Sequence, residues 1–281
     1  MKKILFFAMV AAFLASCDKE VNTNGPSDPN TVVIGEETYK TATFANGQTW
    51  MIENLRFVPE GKTVSDNPAE GNIWYPVKKD QDIVILKDAE SIKSCGYLYD
   101  YYTVMGINKE EYLKLSEEER TTSLKKLEGT QGICPEGWHI PTKAELVALC
   151  GTQTSANLDG TPKATDPNAP FYNKEWEKGS VLIADNLGFN FQFSGIVNKT
   201  THSAIGKYSA TNIAENAAPD NSYIGKCGMN YIWGSTLHQA VETKAQFFGM
   251  MSTFTSTNKG TLTVNHMNMD AGYSVRCIKN K

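Results

Sequence analysis

An α+β fold is predicted by the order of hydrophobic patterns along the 281-residue chain. Short alternating runs come first, capped helical segments follow between residues 108 and 151, and short apolar runs resume after residue 180. No strand–helix alternation of the kind that marks a parallel sheet is present. The composition fits a folded protein, with 41% hydrophobic, 21% charged and 10% aromatic residues. A net charge of −4 leaves no electrostatic case for a nucleic-acid partner.

The elements follow in order. Val33, Tyr39, Thr41 and Thr43, then Trp50-Met51-Ile52, alternate with polar positions, so two short strands are expected across residues 32–34 and 39–52. Ala45-Asn46-Gly47-Gln48 is the turn signal between them. Residues 59–82 are dense in Pro, Gly, Asp and Asn and read as loop, and Ile83–Leu86 is a β-branched run. Tyr97, Leu98, Tyr99, Tyr101 and Tyr102 form an aromatic cluster suited to a core or to an exposed stacking surface.

Asn108 ahead of Lys109-Glu110-Glu111, and Ser116 three residues before Glu119, are helix starts. Tyr112, Leu113, Leu115, Leu124 and Leu127 lie at roughly helical spacing, and Gly129 can end the run. Residues 106–131 therefore read as a helical insert, with Glu110, Glu117, Glu118, Arg120, Lys125 and Lys126 on a solvated face. Thr142 and Glu145 make a second capping box behind Pro141, and Leu146, Val147, Leu149 and Cys150 give that helix a buried stripe up to Gly151. Residues 152–180 read as loop. Strands are then expected at Ser180–Ala184, Phe189–Val197, Tyr231–Trp233, Gln246–Phe254, Leu262–Asn265 and Tyr273–Ile278.

The N-terminus carries an address. In MKKILFFAMVAAFLASC, Lys2 and Lys3 precede a twelve-residue apolar core, too short to span a bilayer and shaped like a secretory signal. Leu14-Ala15-Ser16-Cys17 resembles a bacterial lipobox, in which the Cys17 thiol takes a diacylglyceryl group and residues 1–16 are removed. Acyl chains hold such a protein on a membrane at about 0.8 kcal/mol per buried CH₂. Cleavage takes the net charge to −6. Residues 17–31 are then the lipidated cysteine and a polar tether, whose fourteen residues after Cys17 reach about 43 Å when extended. Asp18 and Glu20 behind the anchor look like the export signal of surface lipoproteins in Bacteroidota-type bacteria, so an outer-membrane, outward-facing domain over residues 32–281 is expected.

Export places Cys95, Cys134, Cys150, Cys227 and Cys277 in an oxidising compartment. Five is odd, so one stays free or pairs between chains, and 15 connectivities with two bridges are open. None is closer to another than 16 positions, so no zinc-type cysteine spacing exists.

Five separated blocks are distinctive: Gln48–Leu55 (QTWMIENL), Gly96-Tyr97-Leu98-Tyr99, Ile133–Thr142 (ICPEGWHIPT), Trp233-Gly234-Ser235-Thr236 and Gly272–Cys277 (GYSVRC). In this order they resemble the Fibrobacter succinogenes major paralogous domain family, over roughly residues 32–281. The resemblance implies a C-type-lectin-like domain with short antiparallel strands, long loops and its two ends brought together. It implies a Cys134–Cys277 bridge, with Cys150–Cys227 as a weaker second pair and Cys95 left free. Cys150–Cys277 is the competing lectin-type choice.

GWHIPTKAEL also looks like the formylglycine-generating, sulfatase-modifying family. That copper chemistry needs two thiols a few residues apart near the C-terminus, whereas Cys227 and Cys277 stand fifty apart. No metalloprotease, serine-hydrolase or phosphate-loop motif is present. His139, His202, His238 and His266 are scattered, and His139 reads as a hydrogen-bonded core histidine. Asp166-Pro167-Asn168 supplies too few oxygens for calcium and reads as a turn. No catalytic residue, metal or cofactor is therefore expected. Sugar binding without calcium would use aromatic platforms, for which Trp74, Tyr75, Trp176, Tyr223 and Tyr231 are the candidates. The expected partners are the membrane, through the lipid anchor, and a glycan or surface protein. An enzyme on a surface polymer and a structural subunit of a surface assembly are the alternatives.

Overall fold

The computed structural model describes residues 30–79, 83–153, 165–172, 188–190, 194–198, 203–205, 231–241, 244–254 and 260–281. The expected signal, lipobox and Cys17, the run Ser180–Ala184, and most of residues 154–187 lie outside these.

The architecture is mixed α+β, mostly antiparallel, with few helices. β1 (Thr31–Ile34) and β2 (Glu37–Thr43) form a hairpin. Gly35 turns it at φ +62°, and a Cβ there would lie 2.9 Å from the Phe57 ring. β3 (Thr49–Met51) follows the Asn46-Gly47 turn that the sequence signalled, with Phe44 N–H donating to Gln48 O at 2.9 Å. Residues 31–51 thus hold three strands where two were expected. Residues 59–82, read as loop, contain β4 (Val64–Ser65), β5 (Ile73–Trp74) and β6 (Val77–Lys79), which pairs with β7 (Ile83–Ile85). Strands of two or three residues carry too little alternation to be seen in a pattern.

α1 (Ala89–Cys95) escaped the sequence reading because Cys95 alone is buried, leaving no apolar stripe. Its ends are nonetheless marked by Asp88, whose carboxylate accepts from Ser91 N–H at 2.8 Å, and by Gly96 at φ +71°. β8 (Leu98–Tyr99) leads into α2 (Tyr101–Met105), and the expected helical segment then splits into α3 (Lys109–Lys114) and α4 (Glu117–Lys125). The split falls at Ser116 because its hydroxyl and Glu119 form the capping box of a new helix. β9 (Trp138–His139) and α5 (Lys143–Cys150), with the Thr142/Glu145 box in place, complete the middle of the chain.

β10 (Ile196–Asn198) and β11 (Ser203–Ile205) form an antiparallel pair. β12 (Tyr231–Val241), β13 (Lys244–Phe254) and β14 (Gly260–Asn268) make a meander longer than its apolar cores indicated. One face of it packs on α5 through Phe248, Leu146 and Cys150; on the other, Phe247 stacks on Tyr101 at 3.6 Å. Gly234 lets the meander approach α5, since a Cβ there would lie 2.8 Å from Leu146 Cδ1.

Tyr273–Ile278 is not the single strand expected. Only β15 (Ala271–Gly272), just before it, and β16 (Ile278–Lys279) pair as strands. Between them every residue is buried, and the backbone bonds to several segments in turn: Tyr99, Trp233, Leu55 and Met51. β16 then pairs with β3 and β9, so the N-terminal hairpin and the C-terminus share one sheet of order β1-β2-β3-β16-β9.

Cys134 and Cys277 form a disulfide across 143 positions, worth about 5 kcal/mol on chain-entropy grounds. The expected second bridge is not made. Cys150 is a free, fully buried thiol on the α5 face of the core, and burial pushes it well above the usual thiol range. Its expected partner Cys227 lies outside the described residues. The Cys150–Cys277 alternative is overturned as well, since Cys277 is taken by Cys134. Cys95 is also buried and takes no part in the Cys134–Cys277 bridge.

Arg276 is completely buried beside Asn54. Its Nε donates to Asn54 Oδ1 at 2.7 Å, its Nη1 to Phe189 O and its Nη2 to Asn190 O at 2.7 Å, while the guanidinium lies 4.5 Å from the Phe189 ring. Asn54 Nδ2 donates in turn to Cys95 O at 2.8 Å and to Ser194 Oγ at 2.8 Å. Desolvation pulls the Arg276 pKa down to about 9. Asn54→Leu keeps roughly the volume but leaves this cation short of an acceptor, so urea unfolding is expected to show a loss of roughly 3–5 kcal/mol.

His139 is half-buried and hydrogen-bonded, its Nδ1 to Asn280 Oδ1 at 2.6 Å and its Nε2 to Glu145 Oε2 at 2.9 Å. The Glu145 bond raises His139 above its ordinary 6.5. Burial pushes Glu145 upward, but bonds from His139 and Thr142 outweigh it and leave it below 4.5. The histidine's contribution is complete below 6.5 and is lost as pH rises through its folded value. The carboxylate's is complete above 4.5 and is lost as pH falls through its folded value. Thermal unfolding is therefore expected to lose stability as pH rises from 6.5 through the folded value of His139, less steeply in His139→Gln.

Candidate functional site

An open cleft of about 900 Å³ lies between residues 59–72 and the stretch from α2 to α3. That size suits a small-molecule or oligosaccharide segment. Local chemistry builds its walls. Asp100, almost fully buried, caps α2 by accepting from Thr103 N–H at 2.9 Å, and its other oxygen accepts from Asn72 Nδ2 at 2.5 Å. One carboxylate thus ties the loop to the helix. Gly106 ends α2 in the left-handed region at φ +67°, and Ile107 N–H closes the turn on Tyr102 O at 2.8 Å. Asn108 then starts α3, its Oδ1 accepting from the amides of Glu110 and Glu111 at 3.0 and 3.2 Å.

Polar groups of both charge signs line the space. Lys62 comes from the loop, and Lys109 and Glu110 come from the first turn of α3. Lys109 Nζ lies 3.6 Å from Asp270 Oδ1 and 4.8 Å from the centre of the Tyr102 ring, covering it. Tyr102 packs edge-on against Tyr112 at 5.6 Å. Burial, reinforced by Asp270, holds its phenol far above the usual range, so it stays protonated. Thr103 also lines the cleft, and its Oγ1 is buried with no hydrogen-bond partner among the described residues. Hydroxyl, amide, ammonium and carboxylate groups on short capped elements can hold a polar ligand in orientation. Only one cleft-lining carboxylate is exposed, Glu110.

The aromatic residues singled out from sequence do not assemble here. Trp74 is a correction. It is 1% exposed, its Nε1 donates to Glu70 O at 2.7 Å, and it belongs to a small core cluster with Leu98 and Val197. A large ring with a buried N–H partner is packing, not a platform. Tyr75 is half-buried, edge-on to Tyr97 at 5.8 Å, with Lys87 Nζ 5.8 Å from its ring; it does not line the cleft. Tyr231 packs edge-on against Tyr273 at 5.2 Å and does not line it either. Trp176 and Tyr223 lie outside the described residues. Asp166-Pro167-Asn168 is a turn, with Asn168 N–H donating to Asp166 Oδ1 at 3.0 Å. Among the described residues no group of three His, Cys, Asp or Glu side chains is placed to hold a metal.

Sequence reasoning missed Lys62, Asn72 and Thr103. Asn108 was visible as a helix start and Tyr102 as one of an aromatic run, but nothing local tied either to residues 59–72.

The molecule is thus a mixed α+β domain with a polar, solvent-open cleft. It matches the Fibrobacter succinogenes major domain family (Fib_succ_major) over residues 45–279, and the chain belongs to that family. The match begins after β1 and β2. No curated protein and no solved structure matches the chain.

Because Trp74 is core, Trp74→Ala is expected to lower unfolding stability by about 3–5 kcal/mol, read by urea titration. Tyr75→Ala, at a half-buried ring, is expected to cost far less in the same titration.

Proposed function

We propose that this protein is an outer-membrane lipoprotein, anchored through Cys17, whose lectin-like domain binds a glycan or a protein at the cell surface without catalysing a reaction. The observation that carries the binding reading is the cleft of about 900 Å³, lined by amide, hydroxyl and ammonium groups. The lectin-like reading draws support from the sheet shared by the first and last strands and from the Cys134–Cys277 bridge. The anchor reading rests on the charged start, apolar core and Leu14-Ala15-Ser16-Cys17. No helix among the described residues is long and apolar enough to cross a membrane. A second reading, a subunit of a surface assembly, draws on β1, a sheet edge with Val33 53% exposed.

The test is a glycan array probed with the mature chain in mild detergent, with calcium and with chelator. Retention of defined sugars under both conditions supports calcium-free lectin-like binding; a silent array moves the reading to protein partners. Cys17→Ala is expected to abolish lipid labelling and shift the protein from the membrane to the soluble fraction.

A further inference from the structure

The helical insert holds a second concavity beside the cleft. A pocket of about 270 Å³ opens between α3 and α4, walled by Ile107, Tyr112, Leu115, Leu124 and Leu127. Tyr112 and Leu124 are buried, whereas Ile107, Leu115 and Leu127 are only partly covered. The apolar stripe of the insert is therefore not all spent on the core. Arg120 of α4 holds the pocket in shape. Its Nε donates to Tyr112 O at 3.1 Å and its Nη2 to Leu113 O, tying the last turn of α3 to α4. Walls fixed in advance cost little to order when a ligand enters.

Pocket and cleft meet at a shared lip, because Ile107 and Asn108 line both. Asn108 Oδ1 is taken by the amides of Glu110 and Glu111, while its Nδ2 makes no hydrogen bond among the described residues. On the cleft side stands Leu113, 46% exposed and one of three large hydrophobic side chains exposed among the described residues. A ligand crossing this lip meets aliphatic carbon in the pocket and mixed polar groups in the cleft.

Charge does not choose the occupant. Lys62 and Lys109 are matched by Glu110 in the cleft and Glu111 at the pocket, and Asp270 already engages Lys109. Size and polarity do choose. An apolar cavity of about 150 Å³ holds benzene, so this pocket has room for one leucine, phenylalanine or tryptophan side chain. A sugar ring there would bury hydroxyls against carbon without partners.

Resting on the binding reading above and taking its protein branch, we infer that an extended peptide segment of a partner protein docks across Asn108. It seats one large apolar side chain between α3 and α4 and lays its backbone past Leu113 into the cleft. Peptide groups are neutral donors and acceptors, which suit a charge-balanced cleft lined by Asn72 and Asn108. Binding is then driven by apolar burial and is insensitive to salt.

The experiment pans a phage-displayed library of random peptides on the mature chain in phosphatidylcholine liposomes, so that no free detergent competes for the pocket. Selected peptides are expected to share one large apolar residue. As synthetic peptides in calorimetry, they are expected to lose about tenfold or more in affinity when that residue becomes alanine. Raising the salt concentration is expected to change Kd by less than about twofold. Ser123→Phe, which fills the pocket from α4, is expected to abolish binding. Leu113→Asn, at an exposed position where folding is not at stake, is expected to weaken it about threefold. Glu111→Gln is expected to leave it unchanged. Peptides that bind Ser123→Phe and Leu113→Asn as well as the unaltered chain overturn the inference, and so does a steep loss of affinity with salt. No selected peptide, with sugars retained on the glycan array, overturns the inference and leaves the glycan reading standing. No selected peptide and a silent array overturn both.

Discussion

The buried hydrogen bond between Arg276 and Asn54 is the constraint on which the rest of the architecture depends. A guanidinium with no solvent contact needs acceptors on several sides, and here they come from Asn54, Phe189 and Asn190. Asn190 takes a positive φ of 47° where its carbonyl receives the cation, a conformation that asparagine tolerates better than most residues. Asn54 extends the network to Cys95, Ser194 and Ser274. Segments up to 222 positions apart are thereby held at one point. Because leaving a buried charge unpaired costs far more than a satisfied pair gains, such a network selects one arrangement of the chain more strongly than it stabilises it.

Around that point the C-terminal segment acts as a common rail. Tyr273, Ser274, Val275 and Cys277 share their backbone bonds with β8, β12, β3 and the loop after β3, and the Cys134 disulfide ties the same segment to the middle of the chain. The aromatic residues fill the space this creates. Tyr101 lies between Trp233 and Phe247, with ring centres 5.1 and 3.6 Å away, and Tyr99 O receives the Trp233 Nε1 proton at 2.8 Å. The cleft sits directly over this packed layer. Its floor residues, Tyr102 and Thr103, belong to the helix that begins with Tyr101. The site is thus held by the core on one side and by the Asp100–Asn72 bond on the other, which gives it rigid walls.

Local chemistry was legible in the sequence to the extent that it closes within a few residues. The Ser116/Glu119 and Thr142/Glu145 boxes, the Asn46-Gly47 turn and the α5 stripe all formed as their spacing indicated, because each is satisfied within one turn of chain. The family was legible for a related reason: its blocks surround glycines, prolines and cysteines with special backbone or covalent roles. The sequence alone therefore determined the mixed α+β class, these local elements and the family. Tertiary structure alone decided that Trp74 is core, that Cys150 stays free and that Lys62, Asn72 and Thr103 line one cleft. Those outcomes depend on which distant segments meet. A bond such as Ser194 to Asn54, 140 positions apart, leaves no periodicity or spacing to read. Only the folded chain, solving burial and hydrogen bonding everywhere at once, chooses among them.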